Sequence, residues 1–237
     1  MLKIAEKERR IDMFILLMLI TAVPAYILGS LNGAIIASKG FYRKDIRNFG
    51  SGNPGLTNFY RTFGKSGLLL VLLIDVIKTV APVIFGGLIF AHFTDMVLTE
   101  VGPLYRFFNI TYFGQSLAGF FVMLGHCFPL FYKFKGGKGV MAIGAIVIVI
   151  DWRLALIAWG VFILVTLVTR YVSLGAMLGS IAFPVSMRLL HVGGLAEFNI
   201  IILCVLLVII RHIPNIKRLV KGEESKLNLK RSKEPEG

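Results

Sequence analysis

The feature that most limits what this chain can fold into is a series of long apolar runs that recur along almost its whole length, separated only by short polar or basic connections. Hydrophobic residues are 56% of the 237 and charged residues only 16%, with a mean hydropathy of +0.78. One soluble domain of this size cannot bury that much apolar surface. The chain therefore reads as an all-α integral membrane protein. It is organised as a single polytopic membrane domain over 13–215, an N-terminal extension over 1–12 and a basic tail over 216–237, with no linker or internal repeat.

Seven membrane segments are predicted, at 13–38, 67–91, 113–132, 139–150, 154–169, 174–190 and 198–210. A helix needs ~20 residues to cross ~30 Å of hydrocarbon. The fourth and seventh segments must therefore borrow flanking residues, tilt or stop short. A re-entrant hairpin of the fourth and fifth is an alternative that preserves sidedness. The first segment is too long for a signal-peptide core and has no clear small-residue cleavage site, so it is expected to be retained.

Basic residues set the orientation. Of the 26 lysines and arginines, eighteen fall on one side of a seven-segment arrangement and seven on the other, with Lys78 inside the membrane. The positive-inside rule then places the N-terminus outside and the C-terminus in the cytoplasm. The formal charge of +13 is accounted for by loops facing anionic membrane lipid, and by anionic substrates, rather than by nucleic acid. In this arrangement the second, fourth and sixth segments all begin at the cytoplasmic face. Each brings unsatisfied amide donors and a partial positive charge there, which favours an anion.

Four polar clusters fall at that same face. "NFGSGNPGLTNFYRTFGKSG", from Asn48, offers Ser51, Asn53 and Asn58 with Arg61 and Lys65, groups suited to a phosphate; its plainer reading is an interhelical loop turning at Asn53-Pro54-Gly55. The Gly64-Lys65-Ser66 triplet imitates the end of a nucleotide P-loop, but Phe59 stands where that motif needs its first glycine. "KFKGGKGV" combines Gly136, Gly137 and Gly139, whose amides can approach a ligand closely, with Lys135 and Lys138. In "TRYVSLG", Ser173 is placed to cap the sixth segment. "RHIPNIKRLVKGEESK" holds His212 and Asn215, three apart and so on one helical face, together with Glu223. Within the membrane, Asp75 and Lys78 stand three apart and are expected to pair. Cys127 and Cys204 lie in apolar surroundings and read as packing residues, with no support for a disulfide, a zinc site or a thiol nucleophile beside His126.

Taken together and in order, "GSGNPGLTN" with Arg61, "LLIDVIK", "GHCFPLFYKFKGGKGV", "TRYVSLG" and "RHIPNIKRLVKGEE" resemble the bacterial acyl-phosphate:glycerol-3-phosphate acyltransferases over Leu28 to Lys226. The resemblance implies a cytoplasmic active site in a bacterial inner membrane. There, an acyl group passes from acyl phosphate to the first hydroxyl of glycerol 3-phosphate, giving lysophosphatidic acid in phospholipid synthesis. It implies Ser51, Arg61, Lys135, Ser173, His212, Asn215 and Glu223 as catalytic residues, and Gly136, Gly137, Lys138, Gly139, Asn53 and Asn58 as phosphate-binding ones. No cofactor, metal or protein partner is implied. Leu56 replaces a usual alanine, and Met141-Ala142 a usual Ala-Thr, departures that bear on local packing. A transporter for a small phosphorylated anion is the competing class, and the crowding of polar clusters on one face argues against it. No Ser-His-Asp set is recognisable, so direct transfer assisted by the acyl phosphate itself is expected rather than an acyl-enzyme.

Overall fold

A computed structural model of the chain describes residues 2–93 and 109–227 and is all-helical among them. The helices are α1 (Leu2–Gly29), α2 (Gly33–Tyr42), α3 (Leu56–Phe63), α4 (Leu68–His92), α5 (Ile110–Cys127), α6 (Val140–Ile150), α7 (Trp152–Thr169), α8 (Val172–Leu189), α9 (Leu195–Arg211) and α10 (Ile213–Val220). The exterior is apolar where lipid would lie. Along α4, Leu73, Ile77, Ile84 and Leu88 face outward at helical spacing, while Asp75, Lys78, Thr79, Val83, Gly86 and Phe90 face inward. The main core joins α5, α6, α7, α8 and α9 around Val122, Met123, Ile146, Leu154, Phe183, Ile201 and Val208. A smaller one joins α2, α3 and α4 around Ile35, Phe59 and Val71.

Each predicted membrane segment corresponds to helix, but the spans do not simply number seven. Five spans are long and apolar enough to cross, counting Ile11–Tyr42 as one, and a sixth is reached if α9 and α10 are joined across a 54° bend. The remaining segment, α6, has 11 residues, or about 16 Å at 1.5 Å per residue, roughly half the hydrocarbon thickness. Asp151 ends it and at once caps α7, accepting a hydrogen bond from the Arg153 amide at 2.8 Å.

The first segment is broken, which its apolar sequence does not foretell. α1 stops at Gly29 and Asn32 caps α2 by accepting from the Ile35 amide at 2.9 Å. The groups freed at the break find partners on α4: Lys78 Nζ donates to the Leu31 carbonyl at 2.5 Å, and the Gly33 amide donates to Asp75 Oδ1 at 3.2 Å. Asp75 and Lys78 also pair with each other at 2.7 Å, both side chains being 2% exposed. The expected ion pair is present, and it compensates broken backbone buried within the bundle.

Candidate active site

The ends of α5, α9 and α10 and the starts of α3, α4, α6 and α8 meet around a cleft of about 820 Å³, lined by Ser51, Asn53, Asn58, Arg61, Lys138, Gly139, Ser173, His212 and Asn215. A second cleft of about 660 Å³ shares Ser51, Asn53, Lys138, Asn215 and Arg218 with it and adds Lys135, Gly136 and Arg211. Four clusters that run along the sequence from Ser51 to Glu224 therefore converge on one connected space.

The first cluster is more ordered than a plain loop. Gly50 and Gly52 take left-handed backbone on either side of Ser51. The Ser51 amide donates to Asn58 Oδ1 at 3.0 Å, and Asn58 Nδ2 donates to the Phe49 carbonyl at 3.0 Å. Asn58 is thus a buried support of the loop. Ser51 and Arg61 remain exposed and available. Phe59, which breaks the P-loop pattern, is a fully buried anchor of the small core. At the loop's base, Arg47 bonds Asp45 and the Tyr132 carbonyl, joining this segment to the glycine loop; its hydrogen bond holds the Asp45 carboxyl down at about 2.

At Gly137 the glycine loop departs from the expected amide cradle. The Gly137 amide is committed to the His126 carbonyl at 3.0 Å. Arg211 donates to the Gly137 carbonyl at 3.0 Å and the Gly136 carbonyl at 2.7 Å, so the loop's oxygens are held by a cation. Glycine is needed at 137 because a Cβ there would run into the His126 imidazole. Gly139 caps α6 with φ +82, a left-handed conformation that leads the chain into the helix. The groups left facing the cleft are Lys138 and the first turn of α6, whose amides have no intrahelical acceptor. Lys138 Nζ donates to Asn215 Oδ1 at 2.6 Å. Burial depresses its pKa from 10.5 to about 8, with Glu224 opposing. Lys135 is exposed, on the rim.

Two further expectations change at the remaining clusters. Tyr171 rather than Ser173 is the cap of α8, and it makes no side-chain cap bond. Ser173 lies in the first turn, and its hydroxyl donates to Glu224 Oε1 at 2.7 Å. The carboxylate reaching the cleft is therefore Glu224, whereas Glu223 is exposed and, among the described residues, is bonded through its amide to the Arg218 carbonyl. Asn215 and Arg218 each donate to Glu224 at 2.7 Å. Burial raises the Glu224 pKa, but the donors at Asn215, Ser173 and Arg218 together leave it below its ordinary value. His212 sits at the bend between α9 and α10 with Nδ1 2.8 Å from the Val208 carbonyl. A carbonyl only accepts, so Nδ1 carries the hydrogen and Nε2 is turned to other partners.

Glu224 and His126 are among the cleft residues that the sequence reading does not place in the site, as are Arg211 and Arg218. Glu224 was hidden by its identical neighbour. His126 was weighed only beside Cys127, which is buried and free, as is Cys204. Of the departures from the family pattern, Leu56 and Met141 line the cleft and Ala142 lies in the main core. Among the described residues no group of three potential metal ligands occurs.

Helices of this length and apolarity, enclosing a polar cleft at one end of the bundle, define an integral membrane protein with a site for an anionic substrate. The chain belongs to the glycerol-3-phosphate acyltransferase family, whose profile matches residues 19–222. It is 37% identical to the glycerol-3-phosphate acyltransferase of Staphylococcus carnosus over 215 residues, covering 91% of this chain and 98% of that protein. It is 35% identical to that of Thermoanaerobacter pseudethanolicus, covering 89% and 96%. Its fold is similar to crystal structures of PlsY (YgiH), an integral membrane glycerol 3-phosphate acyltransferase. The glycerol 3-phosphate form gives a TM-score of 0.72 at 29% identity, covering 89% of this chain and 96% of that one. The lysophosphatidic acid form gives 0.71 at 27% identity, covering 89% and 95%.

Proposed function

We propose that this protein transfers a fatty acyl group from acyl phosphate to the first hydroxyl of glycerol 3-phosphate, releasing lysophosphatidic acid and inorganic phosphate. The observation that carries this reading is the composition of the one connected cleft. Arg61, Lys138 and Arg218 bring cations to it beside the start of α6, and Ser51, Asn53, His212 and Asn215 bring neutral hydrogen-bonding groups. Trp159, Phe162, Val172 and Ala176 form an apolar flank that continues between α6, α7 and α8. Both substrates carry phosphate, and only the donor carries a long chain that belongs in lipid.

In this account the cations hold the two phosphates and Ser51 and His212 orient the reacting hydroxyl, His212 through Nε2. The hydroxyl oxygen attacks the acyl carbonyl carbon, the carbonyl–phosphate bond breaks, and the departing phosphate takes the hydroxyl proton. Among the described residues no serine hydroxyl is hydrogen-bonded to a histidine, and the Ser173 hydroxyl is given to Glu224. That arrangement supports direct transfer over an acyl-serine.

The basic, polar end of the bundle faces the cytoplasm in this proposal, with seven helical segments, the N-terminus outside and the C-terminus inside. Its basic loops and α10 rest on anionic lipid of a bacterial cytoplasmic membrane. Detergent-purified protein supplied with glycerol 3-phosphate and, separately, acyl phosphate, acyl-CoA or acyl carrier protein tests the donor. Lysophosphatidic acid is expected from acyl phosphate alone. Product formed equally from acyl-CoA would reject the donor assignment, and no product from any donor would favour a transporter.

A further inference from the structure

The cleft contains a second histidine whose environment fixes a role that differs from that of His212. His126 is at the end of α5, 4% exposed, with its imidazole lining the cleft. Its Nδ1 lies 2.9 Å from Lys78 Nζ. Lys78 also contacts Asp75 Oδ1 at 2.7 Å and donates to the Leu31 carbonyl at 2.5 Å. An ammonium paired with a carboxylate has three hydrogens to give and no lone pair, so its third must go to Nδ1. His126 is then neutral, with its own hydrogen on Nε2. His212, whose Nδ1 hydrogen goes to the Val208 carbonyl, has the opposite tautomer.

The Nε2 edge of His126 abuts Gly137, where any Cβ would collide with it. Among the described residues Nε2 has no hydrogen-bond partner, whereas its neighbours Asn58, Lys138, Asn215 and Ser173 are hydrogen-bonded to one another or to Ser51 and Glu224. The result is a neutral donor, held from behind by a buried ion pair and presented beside the start of α6. It carries no net charge to compete with the lysines and arginines for phosphate. It suits an uncharged oxygen that becomes negative only as the reaction proceeds.

We propose that His126 Nε2–H is the hydrogen-bond donor to the acyl carbonyl oxygen, stabilising the negative charge that gathers there during transfer, with Asp75 and Lys78 as its positioning residues. This rests on the acyltransfer reading above. As the hydroxyl oxygen bonds to the carbonyl carbon, the carbonyl π pair moves onto that oxygen and is met by Nε2–H. When the pair returns, the bond to phosphate breaks and the phosphate leaves with the hydroxyl proton. His126 gives up no proton at any stage.

Two measurements test it. In protein labelled with ¹⁵N-histidine, two-bond ¹H–¹⁵N correlations distinguish the tautomers of the four histidines, with H126Q and H212N providing the assignments. His126 is expected with hydrogen on Nε2 and His212 with hydrogen on Nδ1; hydrogen on Nδ1 of His126 would overturn the proposal without involving any assay of activity. In kinetics, H126A is expected to lose about 10²–10³-fold in kcat, as for removal of an oxyanion donor, with KM for glycerol 3-phosphate changed less than about threefold. H126Q, which returns an amide N–H near Nε2, is expected to recover at least about tenfold of that loss. A merely structural role predicts equal losses in both variants that follow their melting temperatures. Active wild-type protein with an H126A variant of unchanged kcat would sink this proposal alone, whereas wild-type protein that makes no lysophosphatidic acid sinks the acyltransfer reading with it.

Discussion

Lys138 shows how far a single residue could be read in advance. Its place beside glycines at a helix start marks it as a candidate phosphate contact, but its titration depends on burial that only the packed cleft creates. With a pKa of about 8 it loses its charge as pH rises from 7 to 9. KM for glycerol 3-phosphate should therefore rise across that range, and K138R, which stays charged, should flatten the rise. Stability moves the other way. Between about 8 and 10.5 the unfolded chain binds more protons at this residue than the folded one, so alkaline pH favours the fold through Lys138 while it is expected to weaken substrate binding. K138M should raise that KM about tenfold or more, the worth of a charge-assisted hydrogen bond. The neighbouring glutamates give a second test. E224A should lower kcat/KM by about tenfold or more through loss of three donors' common acceptor, while E223A should stay within about twofold of wild type, as an exposed surface change does. Sequence could not separate these two because adjacent residues leave a helix end in different directions. Only the path of the chain after α10 decides which carboxylate turns back to Ser173.

At the scale of elements, helix positions followed from hydropathy because a stretch of apolar residues in lipid has no other way to satisfy its backbone. The break at Ser30–Asn32 and the short helix α3 did not. The first is stabilised by α4, a different segment, and the second is an amphipathic turn whose buried side is made by Phe59 against α2 and α4. The pair on α4 should therefore matter to the fold as a unit. K78M leaves Asp75 buried and unpaired and is expected to destabilise by about 3–5 kcal/mol. The double variant D75N/K78M should cost less than the sum of the two single changes. Melting temperatures in detergent measure both, and strict additivity would mean that the pair does not act together. The glycine loop teaches a related lesson. Its composition announced an important site, but the reason at Gly137 is the approach of a ring from α5. G137A should accordingly disturb kcat as well as KM, which is read by full kinetic curves on a variant confirmed to be folded.

For the molecule as a whole, the sequence disclosed an all-helical membrane bundle with its polar clusters gathered at one end. The number of crossings was harder to read, since α6 is half a membrane thick and α9 bends into α10. Sidedness can be checked by cysteine labelling in sealed vesicles. Exposed positions Lys65, Lys135 and Glu223 should react from the cytoplasmic side and exposed Asp12 and His191 from the other; labelling of Lys65 and Glu223 from opposite sides would reject the topology. Thr99, a natural choice for the outer face, lies outside the described residues. The central claim is that one cleft holds donor and acceptor together and joins them without an acyl-enzyme. The most direct measurement follows inorganic phosphate and lysophosphatidic acid in one reaction, with and without glycerol 3-phosphate. Direct transfer predicts equal amounts of both products, appearing only when both substrates are present. A burst of phosphate from acyl phosphate alone, with the acyl group recovered on Ser51 or Ser173 by peptide mass spectrometry, would contradict it.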